Sequence, residues 1–216
     1  MALITLKNIK KEYGKNQVLF ENLSLEIDKG EFVGLVGKSG AGKTTLLNII
    51  GLITDISEGT ITIDAYQNLS INNKNAMILR RHTIGYLFQN YGLIEDESVL
   101  WNLKLALEYK KIKKEEKRKI INKYLKQFDL TDMINKKVYQ LSGGEQQRIA
   151  IIKLILQGSK IILADEPTSG LDKENELIVM NLLKELNEQG ITIIMVTHNM
   201  SLCDSFSRII NVEKLR

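Results

Sequence analysis

The stretch that most constrains the fold is GKSGAGKT, which occupies residues 37–44. It follows a compact apolar run, EFVGLV (31–36), and leads into a second apolar run, TTLLNIIGLI (44–53). The pattern G-x-x-x-x-G-K-[ST] between a strand and a helix is typical of a loop whose backbone N–H groups cradle phosphates. In such a loop Lys43 reaches the β- and γ-phosphates and the Thr44 hydroxyl binds Mg²⁺. We therefore expect these residues to contact a nucleotide: Gly37, Lys38, Ser39, Gly40, Ala41, Gly42, Lys43, Thr44 and Thr45.

The composition is that of a globular protein. The chain has 216 residues, of which 44% are apolar, so it can bury a hydrophobic core and form about one large domain. The lone cysteine, Cys203, excludes an internal disulfide framework and fits a reducing compartment. The N-terminal stretch has no signal-peptide pattern, and no apolar run approaches the ~18 residues needed to span a bilayer. We expect a chain that is soluble by itself.

The net charge of +4 comes largely from KKIKKEEKRK (110–119), which carries seven bases and two acids. The prediction for this stretch is a solvated helix start, and the alternative is a docking face toward an anionic membrane surface or nucleic acid. No aromatic side chain suited to base stacking interrupts these bases, so we expect no nucleic-acid partner.

Strand and helix patterns alternate along most of the chain. The patterns predict strands in ALITLKNI (2–9), LSLEI (23–27) and TITID (60–64), with DKG (28–30) as a hairpin turn. The apolar runs KIILAD (160–165) and ITIIMVT (191–197) enclose a helical segment (174–190), which predicts a parallel α/β sheet. Between Ser98, a candidate N-cap, and Gly158, a candidate C′ residue, the pattern is helical, which predicts an inserted subdomain.

Two adjacent carboxylates end one of the apolar strands, in KIILADEP (160–167). Asp165 and Glu166 cannot lie unpaired in the core without a large desolvation cost, so we expect them at the carboxyl edge of the sheet, beside the phosphate loop. There Asp165 can hold Mg²⁺ and Glu166 can act as a general base toward water. The alternative is that one of these two acids caps the N-terminus of a helix and the other has no functional role.

Three further residues are candidates because of what precedes them. His198 follows the strand ITIIMVT, so its imidazole can reach a γ-phosphate at the sheet edge where ligands bind. Gln89 follows the apolar run IGYLF (84–88), and Tyr13 precedes a glycine near the N-terminus. Taken alone, Gln89 and Tyr13 fit ordinary surface packing as well as they fit a functional role. His82 has no such position and is expected at the surface.

A second anion-binding feature lies at LSGGEQQR (141–148). A serine and two glycines precede a helical segment, and bare backbone amides at a helix start attract anions. The phosphate loop already provides one such cradle. The sequence therefore raises the question of why one small chain carries two.

Taken in order, these motifs resemble those of the ATP-binding cassette ATPases, the nucleotide-binding subunits of ABC transporters. The resemblance covers essentially the whole chain. It identifies residues 37–44 as the Walker A loop, Gln89 as the Q-loop, LSGGEQQ (141–147) as the signature, IILADE (161–166) as Walker B, SGLD (169–172) as the D-loop and His198 as the switch histidine.

The resemblance implies hydrolysis of ATP with Mg²⁺ in a head-to-tail homodimer. The signature residues Ser142, Gly143 and Gly144 of one subunit then contact the ATP on the phosphate loop of the other, which accounts for the two anion-binding features. Tyr13 corresponds to an aromatic residue that stacks on adenine. The implied catalytic residues are Lys43, Gln89, Glu166 and His198, and the implied metal ligands are Thr44, Gln89 and Asp165.

The implied fold is an α/β P-loop NTPase forming a single domain over residues 1–216. A RecA-like core and a small antiparallel β-subdomain would occupy residues 1–88 and 159–216, with an α-helical subdomain inserted at 89–158. The face near residues 89–103 would dock on a separate membrane permease at the cytoplasmic face of the membrane, making the chain a peripheral membrane protein. Tyr91 and Trp101 there either contact the permease or pack locally.

The segment at 79–102 resembles the branch that contains lipoprotein-release, macrolide-efflux and bacteriocin-export ATPases, which favours export. Two features depart from the family pattern: the apolar helix IAIIKLIL (149–156), and Asn199, which follows the switch histidine where an acid is common. One alternative is an importer subunit, which differs only in permease and cargo. The other is a soluble cassette acting on DNA or ribosomes, which would normally carry a coiled coil or a second cassette.

Overall fold

Two sheets of different character organise the protein. The computed structural model describes residues 2–14 and 17–215. Its strands are β1 (Ala2–Tyr13), β2 (Gln17–Asp28), β3 (Phe32–Val36), β4 (Glu58–Ile63), β5 (Ile84–Leu87), β6 (Ile161–Asp165), β7 (Thr192–Val196) and β8 (Arg208–Asn211). Its helices are α1 (Lys43–Ile50), α2 (Lys74–His82), α3 (Val99–Ala106), α4 (Lys114–Gln127), α5 (Gly143–Gln157) and α6 (Lys173–Glu188).

The larger sheet is parallel, with strand order β5-β6-β7-β3-β8. Alternate residues of its strands enter two different cores. Leu35 faces a core shared with the smaller sheet and α1, whereas Phe32 faces a core formed with α3 to α6. Because both faces are covered, these strands read as continuous apolar runs. The predicted α/β architecture is therefore confirmed, and the carboxyl ends of β6, β7 and β3 lie side by side at one edge.

The smaller sheet is antiparallel, with order β2-β1-β4. In it Leu6 pairs with both Leu25 and Ile61. The prediction of a hairpin turn at DKG (28–30) is wrong. β2 ends in the antiparallel sheet and β3 begins in the parallel one, so this turn carries the chain from one sheet to the other. It is fastened there because the Thr192 hydroxyl accepts a 2.8 Å hydrogen bond from the Gly30 amide.

Both predicted ends of the helical segment are found. Ser98 caps α3, its hydroxyl accepting from the Trp101 amide at 3.1 Å, and Gly158 ends α5 in a left-handed conformation. The helix α3 ends at Ala106, and α4 begins at Lys114. Most of the basic stretch (110–119) is exposed, which agrees with a solvated helix start. His82 is exposed, as expected.

Helices α3, α4 and α5 follow one another between β5 and β6, while the subdomain boundaries at 89 and 158 stay predictions. Within the part of the chain that the structure describes, no helix has the length and apolar character needed to cross a bilayer.

The inserted helices bury a polar residue, Asn102. Its Oδ1 accepts from the Ile94 amide at 2.8 Å, and its Nδ2 donates to the carbonyls of Ile94 and Ser98 at 3.0 and 3.1 Å.

Replacing this buried amide tests its role in the fold. Asn102→Leu keeps the branched shape of the side chain but removes the hydrogen-bond partners of the Ile94 backbone, so we expect the free energy of unfolding to fall by about 1–3 kcal/mol in urea denaturation. Asn122→Leu, at an exposed position of α4, is the matched control and should change it by less than about 0.5 kcal/mol. Equal effects of the two substitutions would show that Asn102 does not hold the loop before α3.

Candidate active site

The phosphate loop joins the carboxyl end of β3 to the start of α1. Gly40 and Gly42 have φ angles of 74° and 96°, in the left-handed region that glycine adopts without strain. Gly42 is also the N-cap of α1, and a Cβ there would come within 2.8 Å of the Phe20 ring. The loop therefore needs glycine for its conformation and for its packing. It presents the N-terminus of α1 to the solvent-open cleft described below, where anions are favoured.

Lys43 is folded into this loop. Only 9% of the residue is exposed, and its Nζ donates hydrogen bonds to the carbonyls of Gly37 and Lys38 at 2.8 and 2.9 Å. A buried ammonium requires such acceptors. The positive charge is thereby held at the centre of the loop, where it can attract phosphate oxygens.

Asp165, at the end of β6, lies beside the phosphate loop as expected. The Thr44 hydroxyl donates to Asp165 Oδ1 at 3.2 Å. Burial raises the pKa of Asp165, and the hydrogen bond from Thr44 opposes this shift. A hydroxyl and a carboxylate are hard oxygen ligands that fit Mg²⁺. Residues 2–14 and 17–215 contain no cluster of three or more His, Cys, Asp or Glu that could hold a metal ion. Thr44 and Asp165 would supply two oxygen ligands to the ion, and the rest of its shell would come from outside this pair.

Glu166 has a strained backbone and contacts His198. Its φ angle is +47°, and its amide donates to the Val196 carbonyl of β7 at 3.1 Å. The carboxylate Oε2 lies 3.1 Å from Nδ1 of His198. Left-handed backbone in a non-glycine residue is uncommon and concentrates at functional sites. The structure thus brings together the acid after β6 and the histidine after β7, as their strand positions predicted.

A cleft of about 330 Å³ opens over the phosphate loop. We call it the phosphate-loop cleft, and it is lined by Tyr13, Gln17, Leu19, Ser39, Gly40, Gly42, Lys43, Thr44, Thr45 and Glu166. Tyr13 is 45% exposed, and its hydroxyl lies 3.3 Å from Oγ1 of Thr45. A partly exposed aromatic ring at the rim offers a face on which a base can stack. Gln17 and Leu19 carried no sequence signal, since ordinary strand residues rarely do.

The signature residues lie elsewhere. Ser142 caps α5: its hydroxyl accepts from the Glu145 amide at 3.3 Å and its amide donates to Glu145 Oε2 at 2.7 Å. The hydrogen bond from the Ser142 amide is the main reason that the pKa of Glu145 is lowered. A Cβ on Gly143 would lie 2.8 Å from the Tyr91 hydroxyl, and one on Gly144 would overlap the Asn175 amide.

The signature therefore packs against the loop after β5 and the start of α6. None of its three residues is among the described residues that line the phosphate-loop cleft. The two anion-binding features of one chain thus occupy separate places.

Gln89 is exposed two residues beyond β5 and is not among the described residues lining the phosphate-loop cleft. Tyr91, nearby, is half-buried against the core formed with α3 to α6, and its hydroxyl lies next to Gly143, which favours local packing. Trp101 is exposed on α3. Of the candidates from the sequence, the structure groups Tyr13, the phosphate loop, Asp165, Glu166 and His198, and leaves Gln89 and the signature outside that group.

One anchor of the phosphate loop could not be found from the sequence. The Lys38 amide donates to Glu213 Oε1 at 2.7 Å, and Glu213 belongs to a 3₁₀ turn near the end of the chain (Val212–Leu215). No motif surrounds Glu213, and 175 residues separate the two partners. Only the pairing of β8 beside β3 brings them together.

Both the sequence and the fold of this chain are similar to those of known proteins. The sequence pattern of the family described as ABC transporter matches residues 20–169. The chain is 41% identical over 211 residues to the macrolide export ATP-binding/permease protein MacB of Campylobacter jejuni, covering 98% of this chain and 33% of that protein. It is also 41% identical to the phosphonates import ATP-binding protein PhnC of Lactobacillus acidophilus, covering 95% of this chain and 83% of that protein.

The fold has a solved counterpart. The structure is similar to the dimeric, post-hydrolysis state of the ATP-binding cassette MJ0796 bound to ADP and Pi, with a TM-score of 0.87 and 38% identity. The match covers 96% of this chain and 93% of that one. In contrast, the chain spans about one third of the length of MacB. The family pattern covers more than half of the sequence, and the P-loop architecture agrees with it. The chain therefore belongs to the ABC transporter family, as an ATP-binding cassette domain with ATPase chemistry.

Proposed function

We propose that the chain is the Mg²⁺-dependent ATPase of an ABC exporter. In this proposal it works as an ATP-sandwich homodimer on a membrane permease, at the cytoplasmic face of the membrane. The observation that carries the proposal is the convergence at one sheet edge. Thr44 bonds Asp165 at 3.2 Å, and Glu166 meets His198 at 3.1 Å, beside the phosphate loop. This combination supplies a phosphate cradle, a metal pair and an acid–histidine pair in one place.

The residues divide the chemistry among them. Lys43 and the loop amides hold the β- and γ-phosphates, and Tyr13 stacks on the adenine. Thr44, Asp165 and Gln89 are the ligands that would hold Mg²⁺, which when bound neutralises charge on the phosphates. Glu166 accepts a proton from the attacking water as general base. His198 orients the Glu166 carboxylate through Nδ1. With both ring nitrogens protonated, its Nε2 would also donate toward the γ-phosphate.

The dimer follows from the separation of the two anion-binding features. Ser142, Gly143 and Gly144 start α5 outside the phosphate-loop cleft of their own chain, so a second copy can present them to its ATP. The N-terminus of α5 then adds its dipole to the γ-phosphate charge. The similar MJ0796 cassette is dimeric with ADP and Pi bound, which supports this arrangement. ATP would bind the two copies together, and loss of the γ-phosphate would release them.

A groove between the core and the inserted helices fits a permease segment. Its volume is about 250 Å³ and its lining includes Ile53, Phe88, Tyr91 and Lys153. Ile53 and Phe88 are 44% and 39% exposed. Burial lowers the pKa of Lys153, whose Nζ donates to the Gly92 carbonyl at 2.7 Å. Exposed apolar surface of this kind is typical of a protein-binding site. Because the groove ends near the loop that carries Gln89, a permease segment bound there would lie close to the site of ATP hydrolysis.

Direction of transport depends on the permease, and the relatives include both directions by name. We favour export because the segment at 79–102 resembles the export branch and because MacB is described as a macrolide export protein. An importer ATPase remains the second candidate, favoured by the similarity to PhnC, which is described as a phosphonates import protein. Both share the ATPase site and differ in permease and cargo.

Glu166→Gln tests the general base. We expect this variant to bind ATP, to hydrolyse it about 10²–10³-fold more slowly, and to accumulate as a dimer because the γ-phosphate is retained. ATPase assays and light scattering with saturating ATP and Mg²⁺ measure both effects. Glu174→Gln, an exposed acid in the first turn of α6, is the matched control. A Glu166→Gln protein that stays monomeric would contradict the sandwich.

Mixing two inactive variants tests whether the signature acts in trans. Lys43→Ala and Ser142→Arg each damage both sites of a homodimer, but their heterodimer keeps one intact pair of loop and signature. We expect the equimolar mixture to recover about one quarter of wild-type ATPase activity, since half of the dimers are mixed and each has one good site. The control is wild type mixed with the double variant Lys43→Ala/Ser142→Arg, whose own homodimer has no intact pair. An equimolar mixture of the two single variants that stays inactive would show that the two features act within one chain.

Capture from native membranes tests the permease. The tagged chain, extracted in mild detergent, should bring down a multi-span membrane protein, and Phe88→Asp should abolish this by placing a charge in the groove. Leu177→Asp is the control, because Leu177 is 63% exposed on α6 and is not part of the groove lining. Capture of ribosomes or soluble proteins alone would contradict the transport role while leaving the ATPase chemistry in place.

A further inference from the structure

The residue after the switch histidine makes a hydrogen bond that spans two elements. Asn199 Nδ2 donates to Glu176 Oε2 at 3.0 Å, which joins the loop after β7 to the first turn of α6. On its other side Asn199 Oδ1 accepts from the amide and the hydroxyl of Ser201, at 3.1 and 2.7 Å. Both ends of this side chain are therefore occupied.

The orientation of the amide is fixed by chemistry. A backbone N–H can only donate, so the atom that faces Ser201 N must be the oxygen. The nitrogen must then face Glu176, whose carboxylate can only accept when ionised. Asparagine is thus the residue that satisfies both neighbours at once. An aspartate could still accept from Ser201, but it would have nothing to donate to Glu176.

The bond lies next to the residues of the proposed reaction. Glu176 and Asn199 line a cleft of about 380 Å³ together with Glu166, His198 and the D-loop, which we call the D-loop cleft. His198 is held between Thr197 and Asn199, because the Asn199 amide donates to Thr197 Oγ1 at 3.0 Å. Thr197 in turn is buried, and its amide donates to the Leu35 carbonyl of β3 at 3.3 Å. A chain of hydrogen bonds therefore runs from β3 to α6 through Thr197 and Asn199, the two neighbours of His198 in sequence.

We propose that Asn199 and Glu176 are positioning residues that fix the switch-histidine loop against the start of α6, next to the D-loop, and so hold His198 on Glu166. The inference rests on the proposed role of His198 in hydrolysis. It explains why an amide stands here, where an acid is common in the family: the partner on α6 is itself an acid. Two carboxylates in this place would repel each other and would move the loop that carries His198.

Exchanging the two functional groups tests the proposal. Asn199→Asp places a carboxylate opposite Glu176, and we expect kcat to fall about tenfold while KM for ATP changes less than about twofold, because the phosphate loop is untouched. Glu176→Gln alone should leave kcat near wild type, since its carbonyl still accepts from Asn199. In the double variant Asn199→Asp/Glu176→Gln the new amide donates to the new carboxylate, so kcat should return to within about threefold of wild type.

Thermal unfolding of all four proteins separates positioning from folding. The inference is supported if kcat falls and recovers while the melting temperatures stay within a few degrees of each other. It is overturned if Asn199→Asp leaves kcat unchanged, if the double variant does not recover, or if kcat only follows the melting temperature. Wild type without Mg²⁺-dependent ATPase activity would overturn the proposed function and this inference with it. An active wild type with an equally active Asn199→Asp protein would overturn the inference alone.

Discussion

Burial of the parallel sheet on both faces is the constraint on which the rest of the site depends. Helices α5 and α6 pack on one face, with α3 and α4 against α5, and α1 with the antiparallel sheet covers the other. No charged group can lie inside such a sheet without a large cost, so the polar residues of its strands are pushed to the ends. Because β6, β7 and β3 are neighbours and parallel, these ends meet. The phosphate loop, Asp165 with Glu166, and His198 are brought together by this geometry and not by their closeness in sequence.

The same arrangement keeps the second anion-binding feature apart. α5 starts beside the loop after β5 and the start of α6, and Ser142 is held there by its reciprocal bonds with Glu145. This helix start lies outside the phosphate-loop cleft of its own chain, so in the proposed function it is half of a site. The proposed dimer completes it with the loop of a second copy. Under this proposal hydrolysis would control assembly, because the γ-phosphate would be the part of the ligand that both halves contact.

Most of the predicted elements were recovered because their signals are local. The apolar run 31–36, the glycines of the loop, Ser98 and Gly158 each determine the backbone within a few residues. The DKG turn was misjudged because a turn pattern shows that the chain reverses but not which sheet receives the next strand. The bonds Asn199–Glu176 and Lys38–Glu213 had no signal for a related reason. Each joins residues whose own neighbours in sequence do not point to the partner.

Residue type and spacing are enough to predict the phosphate loop, the strands followed by Asp165, Glu166 and His198, and membership of a nucleotide-binding α/β class. The tertiary structure alone decided that Glu166 takes a left-handed backbone beside His198, that the signature lies outside the phosphate-loop cleft, and that Asn199 faces an acid on α6. The reason is physical. Local patterns specify how each segment folds, whereas contacts between distant segments are set by how the sheets and helices pack on one another.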